Sequence, residues 1–146
     1  MKTKVLGIAL LFALATASSS LAASQPIIAK ALAVGQMQAT TIKATAGATI
    51  LETYTVKPGG SFGWHVHGAP VAVVVTAGTL TVFDPQVNAC APFKVSKGMS
   101  FVEPANHIHL ARNDGTKPAT VYALYLGVPK SSNVYLPKTQ PAGCDA

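Results

Sequence analysis

The chain has 146 residues, of which 11% are charged, and a net charge of +6. That length fits a single domain. The lysines are scattered and no basic run carries interleaved aromatics, so composition argues against a nucleic-acid partner.

Lys2 and Lys4 precede an apolar run from Val5 to Ala17, and Ser20-Leu21-Ala22 is a small-x-small pattern. This is the layout of a secretory signal peptide, with cleavage expected after Ala22. The apolar run is shorter than the roughly 20 residues that a membrane span needs. No later segment reads as a span, so the expectation is a periplasmic or secreted protein. In that setting the two cysteines, Cys90 and Cys144, are expected to form a disulfide between the C-terminal tail and a mid-chain loop.

Residues 23–47 read as an N-terminal arm, with short strands expected around Ile27-Ile28 and Thr40–Lys43. Residues 48–146 read as one β-domain with an irregular tail after Val128. Thr49–Val56 alternates and is β-branched, as a half-buried strand does. Beyond the Lys57-Pro58-Gly59-Gly60 turn, Ser61–His67 is the next strand. Strict alternation would put Phe62, Trp64 and Val66 on one face and Gly63, His65 and His67 on the other. The apolar face then needs cover, from a second copy in a homodimer or from the 23–47 arm. Val71–Thr76 reads as a strand buried on both faces. Thr79–Phe83, Phe93–Val95, Met99–Val102, His107–Arg112 and Thr120–Leu126 follow. The turns between them carry Gly, Pro or Asn. Alternation in His107–Arg112 would put His107 and His109 on one face. No stretch of ten or more residues after the leader has a helical period, so the fold class is all-β, a sandwich or barrel.

The chemistry concentrates in four histidines arranged as two His-x-His pairs, His65/His67 and His107/His109. Two histidines two apart in a strand share a face and can hold one metal ion. Imidazole suits zinc, copper, iron and nickel. A third histidine from another strand leaves coordination positions open for substrate or water. The expected ligands are His65, His67 and His109, with His107 either a fourth ligand or an acid/base group beside the site. There is no Ser/His/Asp arrangement, phosphate loop or glycosidase-type carboxylate pair, so any chemistry belongs to the metal.

These residues resemble the cupin superfamily. In its first motif five residues separate Gly59 from His65-Val66-His67, and Gly78 closes it. In its second motif Gly98, Pro104, His109 and Asn113 fall in register, with Asn106 in place of a glycine. The chain is similar to small single-domain bacterial cupins with a Gly-Trp-His-x-His signature, often called quercetin-dioxygenase-like. The resemblance spans about Thr49 to Leu126. It implies a double-stranded β-helix, or jelly-roll barrel, with a metal inside. It also implies a glutamate at the position that Val71 occupies. Without that carboxylate the site reads as three histidines, similar to that of cysteine dioxygenase, and a divalent ion there would favour an anionic ligand.

Glu52 would replace the missing carboxylate if its strand face turns inward, and otherwise lies on the surface. Glu103 is expected at the rim of the site. Tyr54, Tyr122 and Tyr125 read as core, with Tyr122 or Tyr125 able to offer a hydroxyl. Arg112 and Asn113 read as turn residues. Two functions stay open: a dioxygenase-like oxidoreductase using Fe, Mn, Ni or Cu on a small molecule, and a non-catalytic module that binds metal, zinc included, or a small ligand.

Overall fold

The computed structural model describes residues 29–146. The expected signal peptide and the Ile27-Ile28 segment lie outside the described residues. The strands are β1 (Ala48–Val56), β2 (His65–Val66), β3 (Val71–Ala77), β4 (Thr79–Phe83), β5 (Phe93–Ser96), β6 (Ser100–Glu103), β7 (Leu110–Arg112), β8 (Ala119–Val128) and β9 (Leu136–Pro137). A short helix, α1 (Pro85–Asn88), follows β4, and Asp84 caps it by accepting from the Gln86 and Val87 amides.

The strands form a four-stranded sheet in the order β1-β8-β3-β6, a three-stranded sheet β5-β4-β7, and the pair β2-β9. The alternation seen in the sequence decides which side chains turn in. Val71, Val73 and Val75 on β3 and Val121, Ala123 and Tyr125 on β8 are buried, with their chain neighbours more exposed. They pack in one cluster with Leu80 and Val82 of β4 and Val95 of β5, so the core sits between the two larger sheets. Each buried valine or leucine there contributes about 1.5–3 kcal/mol. Gly78 makes the β3–β4 corner with φ +69°, and a Cβ there would stand 2.7 Å from the Ala119 Cα.

Asn113 is buried at a turn. Its amide donates to the Val56 and Lys117 carbonyls, and its oxygen accepts from the Gly115 amide. That single side chain ties β1 to the loop before β8, which accounts for its turn role. Arg112 pairs with Asp114 at 2.7 Å and lies over the Phe83 ring.

Two expectations change. Thr40–Lys43 forms no strand; among the described residues the arm's one β contact is an isolated parallel bridge from Gln36 to Met99. Apart from the two-residue β9 the tail after Val128 is irregular, and it is tied down: β9 pairs with β2, the Lys138 amide donates to the Trp64 carbonyl, and Cys144 is bonded to Cys90. Trp64 packs with Phe83, Leu110 and both cysteines. Its face is therefore covered by the chain's own tail, and needs neither the arm nor a second copy.

Candidate metal centre

The two His-x-His segments meet. His65 and His109 form an antiparallel pair and exchange both backbone hydrogen bonds at 3.0 Å. Further up the same ladder, Ser61 pairs with Arg112. One residue more lies on the 61–65 side than on the 109–112 side, which makes a β-bulge around Gly63, whose φ is +70°. The extra residue breaks the alternation. Phe62 turns to the same cavity as His65 and His67, while Trp64 points away into the tail cluster. This corrects the expected shared face of Phe62 and Trp64.

Each of the three histidines is anchored by its Nδ1 to a backbone carbonyl. His65 faces Gly63 O at 2.9 Å, His67 faces Val134 O at 2.5 Å, and His109 faces His107 O at 2.9 Å. A carbonyl only accepts, so each Nδ1 carries the proton and each neutral ring keeps its lone pair on Nε2. This is the arrangement in which metal-ligating histidines are held. His65, His67 and His109 each offer one ligand atom, all within 4.8 Å of one another, and all three residues are buried.

A carboxylate closes the cluster. Glu103 places Oε2 3.2 Å from His67 Nε2 and Oε1 3.3 Å from His109 Nε2. Glu103 was expected at the rim; it lies against His67 and His109, because β6 pairs antiparallel with β3 and sets Glu103 opposite Val71. Only that cross-strand register would have revealed it. Glu52 does turn inward, as its face on β1 allowed, but its carboxylate is taken by the Tyr54 hydroxyl.

The electrostatics follow from this packing. Burial opposes ionisation of Glu103, but the charges of His109 and His67 and the His67 hydrogen bond overcome it and hold its pKa below the usual range. Burial likewise opposes protonation of His67; the hydrogen bond and charge of Glu103 win, and its pKa rises. His65 is pushed down to about 4 by burial and by repulsion from His109.

His107 stands apart from the three. Its Nδ1 is 3.7 Å from Asp84 Oδ2, too far for a hydrogen bond, and its carbonyl orients His109. The reason is local: Asn106 adopts a left-handed conformation, φ 62°, and regular strand begins only at Leu110. The alternation that would align His107 with His109 has not yet started.

A cavity of about 180 Å³ adjoins the cluster. His65, His67 and Glu103 line it together with Tyr54, Tyr125 and Tyr135, and the Tyr125 ring meets the His67 ring edge-on at 5.3 Å. Tyr135, from the tail, stacks on the His65 ring at 4.7 Å and donates from its hydroxyl to the Phe62 carbonyl. Tyr122 is on the opposite face of β8 from Tyr125.

The fit of a cation can be judged from one atom. His109 Nε2 is buried and has no hydrogen-bond partner, although a carboxylate oxygen lies 3.3 Å away. In the neutral ring this lone pair faces an anionic oxygen, which a buried site makes costly, and a positive ion bound by both removes that cost. Three imidazoles and a carboxylate suit Fe, Mn, Ni, Cu and Zn.

The cupin domain family matches residues 52–125. No curated relative matches the chain by sequence. Among solved structures, an uncharacterized conserved protein with a double-stranded β-helix domain from Klebsiella pneumoniae is similar at 16% identity and a TM-score of 0.51, covering 67% of this chain and 81% of that one. The polyketide cyclase RemF from Streptomyces resistomycificus is similar at 15% identity and a TM-score of 0.53, covering 68% and 66%. The DMSP lyase DddQ from Ruegeria pomeroyi is similar at 16% identity and a TM-score of 0.53, covering 64% and 44%. At these identities the likeness establishes the double-stranded β-helix fold and nothing of the reaction.

Proposed function

The chain belongs to the cupin family, and on that premise we propose that it is an exported protein holding one divalent transition-metal ion on His65, His67, His109 and Glu103, with a dioxygenase-like oxidoreductase activity on a small molecule. The observation that carries this reading is the unpartnered, buried His109 Nε2 set against the Glu103 carboxylate. A bound ion would supply Lewis acidity toward a small ligand and, if redox-active, oxygen chemistry.

The chain's own groups prepare the site. Three backbone carbonyls hold the imidazole rings in the tautomer that leaves Nε2 free. Glu103 offsets one positive charge of the ion, so a small anion is less strongly favoured than beside three histidines alone. Tyr135 and Phe62 flank the His65 ring. The Cys90–Cys144 bridge supports an oxidising compartment, in keeping with the leader read from Lys2 to Ala22.

A second reading, binding without turnover, is favoured by how fully the acidic groups at the cavity are engaged: Glu103 with two histidines and Tyr54 with Glu52. Metal analysis with titration calorimetry tests the shared part. One ion per chain is expected, with uptake weakened at least about tenfold in His67→Ala and His109→Ala; wild-type uptake in both variants would end the proposal. Oxygen uptake by Fe-, Mn-, Ni- and Cu-loaded protein on flavonoids, diketones and thiols separates the two readings. Silence with all four metals decides for the binding module.

A further inference from the structure

Apart from the histidines and Glu103, the cavity's polar groups are three tyrosines: Tyr135 commits its hydroxyl proton to the Phe62 carbonyl at the exposed edge, and Tyr54 and Tyr125 form a pair. Tyr54 and Tyr125 hydroxyls lie 3.1 Å apart. The Tyr54 hydroxyl donates to the Glu52 carboxylate. A tyrosine has one hydroxyl proton, so the 3.1 Å contact is donated by Tyr125. The protons therefore run one way, from Tyr125 to Tyr54 to Glu52. Tyr125 has no proton left for the cavity, but its oxygen keeps the capacity to accept.

The rest of the wall is apolar, formed by Phe62, Val73, Leu80 and Phe101 among others. Its volume of about 180 Å³ is on the scale of one six-membered ring, since an apolar cavity of about 150 Å³ accepts benzene. The cavity thus offers a metal-facing wall at His65, His67 and Glu103, room for one ring, and an acceptor oxygen on Tyr125.

We propose that the cavity binds a single-ring dihydric phenol, with one oxygen directed at the metal centre and the second hydroxyl donating to Tyr125. This rests on the metal-centre reading above and names its ligand class. A hydroxyl that enters finds the acceptor waiting. A methoxy group, or a second oxygen without a proton, meets a lone pair and is rejected, because a buried polar group left unpaired is costly.

The test uses the full chain loaded with zinc, which has no redox chemistry of its own, and calorimetry with the three benzenediols, phenol and the corresponding methoxyphenols. Zinc stoichiometry is measured in the same samples. One benzenediol is expected to bind about tenfold more tightly than phenol and than its own methoxyphenol. In Tyr125→Phe that diol falls to within about twofold of phenol. Tyr54→Phe frees the Tyr125 proton to donate into the cavity, so the methoxyphenol gains affinity and the preference for a second hydroxyl disappears. This second variant decides the matter if Tyr125→Phe does not fold. Zinc uptake with no preference for a diol overturns this inference and leaves the metal centre standing. Absence of zinc uptake overturns both.

Discussion

Glu103 stands opposite Val71 in the antiparallel register of β3 and β6, so the two side chains share the inner face of the sheet. Directly opposed residues hold their Cβ atoms about 4.5–5.5 Å apart. Val71 occupies the position where the family's first motif carries its glutamate. In the folded chain a carboxylate stands one strand sideways from that position, in contact with His67 and His109 of the three gathered histidines.

This relationship predicts a rescue. Glu103→Val removes the carboxylate and should weaken metal binding by about 10–100-fold, the range for a lost charged contact at a buried site. Adding Val71→Glu to the same chain should restore most of that affinity. Calorimetric titration of the two variants checks it. A double variant that binds metal no better than Glu103→Val would mean that the two positions are not equivalent.

The tail should matter to the metal as well as to stability. The bridge joins cysteines 54 residues apart, and in the chain-entropy picture a loop of that size contributes about 4 kcal/mol. The same tail brings the Val134 carbonyl to His67 and the Tyr135 ring to His65. Cys144→Ser is therefore expected to lower Tm and to weaken metal binding by about tenfold or more, the scale reported for losing a ligand-orienting partner. Scanning calorimetry and metal titration read the two effects separately. Lowered Tm with unchanged metal affinity would show that the β2–β9 pairing holds His67 without the bridge.

Acid should destabilise the metal-free protein through His65. Its folded pKa is about 4, against 6.5 for an unperturbed histidine. Between those values the unfolded chain binds more protons than the folded one, so stability falls as pH falls. His67 acts elsewhere and with the opposite sign: its raised pKa contributes stability below 6.5 that is lost as pH rises through the folded value. Glu103, with a lowered pKa, contributes stability above the model-peptide value of 4.5 and loses it only under stronger acid. The window from pH 6.5 down to about 4.5 thus belongs to His65, with a loss on the order of 2–3 kcal/mol. Denaturant melts in the presence of chelator measure it. His65→Gln should flatten the slope in that window; an unchanged slope would assign the effect to another group.

Much of this was legible in the chain before folding. Alternating β-branched runs mark β1, β3, β4 and β8, because a strand buried on one face must repeat every two residues. The paired cysteines and the turn role of Asn113 follow from residue type and spacing, and the convergence of His65, His67 and His109 from the resemblance to the two cupin motifs. These are local properties, or properties of a pattern that spans most of the domain.

What the sequence left open depended on register between segments far apart in the chain. Glu103 becomes part of the centre only through its alignment with Val71. Phe62 joins the cavity only because one extra residue at Gly63 breaks the alternation opposite His109. His107 leaves the site because Asn106 turns left-handed just before the strand begins. Trp64 is covered because β9, which has no strand signal of its own, pairs with β2 and is tied down by Cys144. The sequence alone determined the longer strands and confined the histidines to two pairs that can share one site. The tertiary structure decided which neighbours each received, because a shift of one residue in strand pairing moves a side chain to the opposite face.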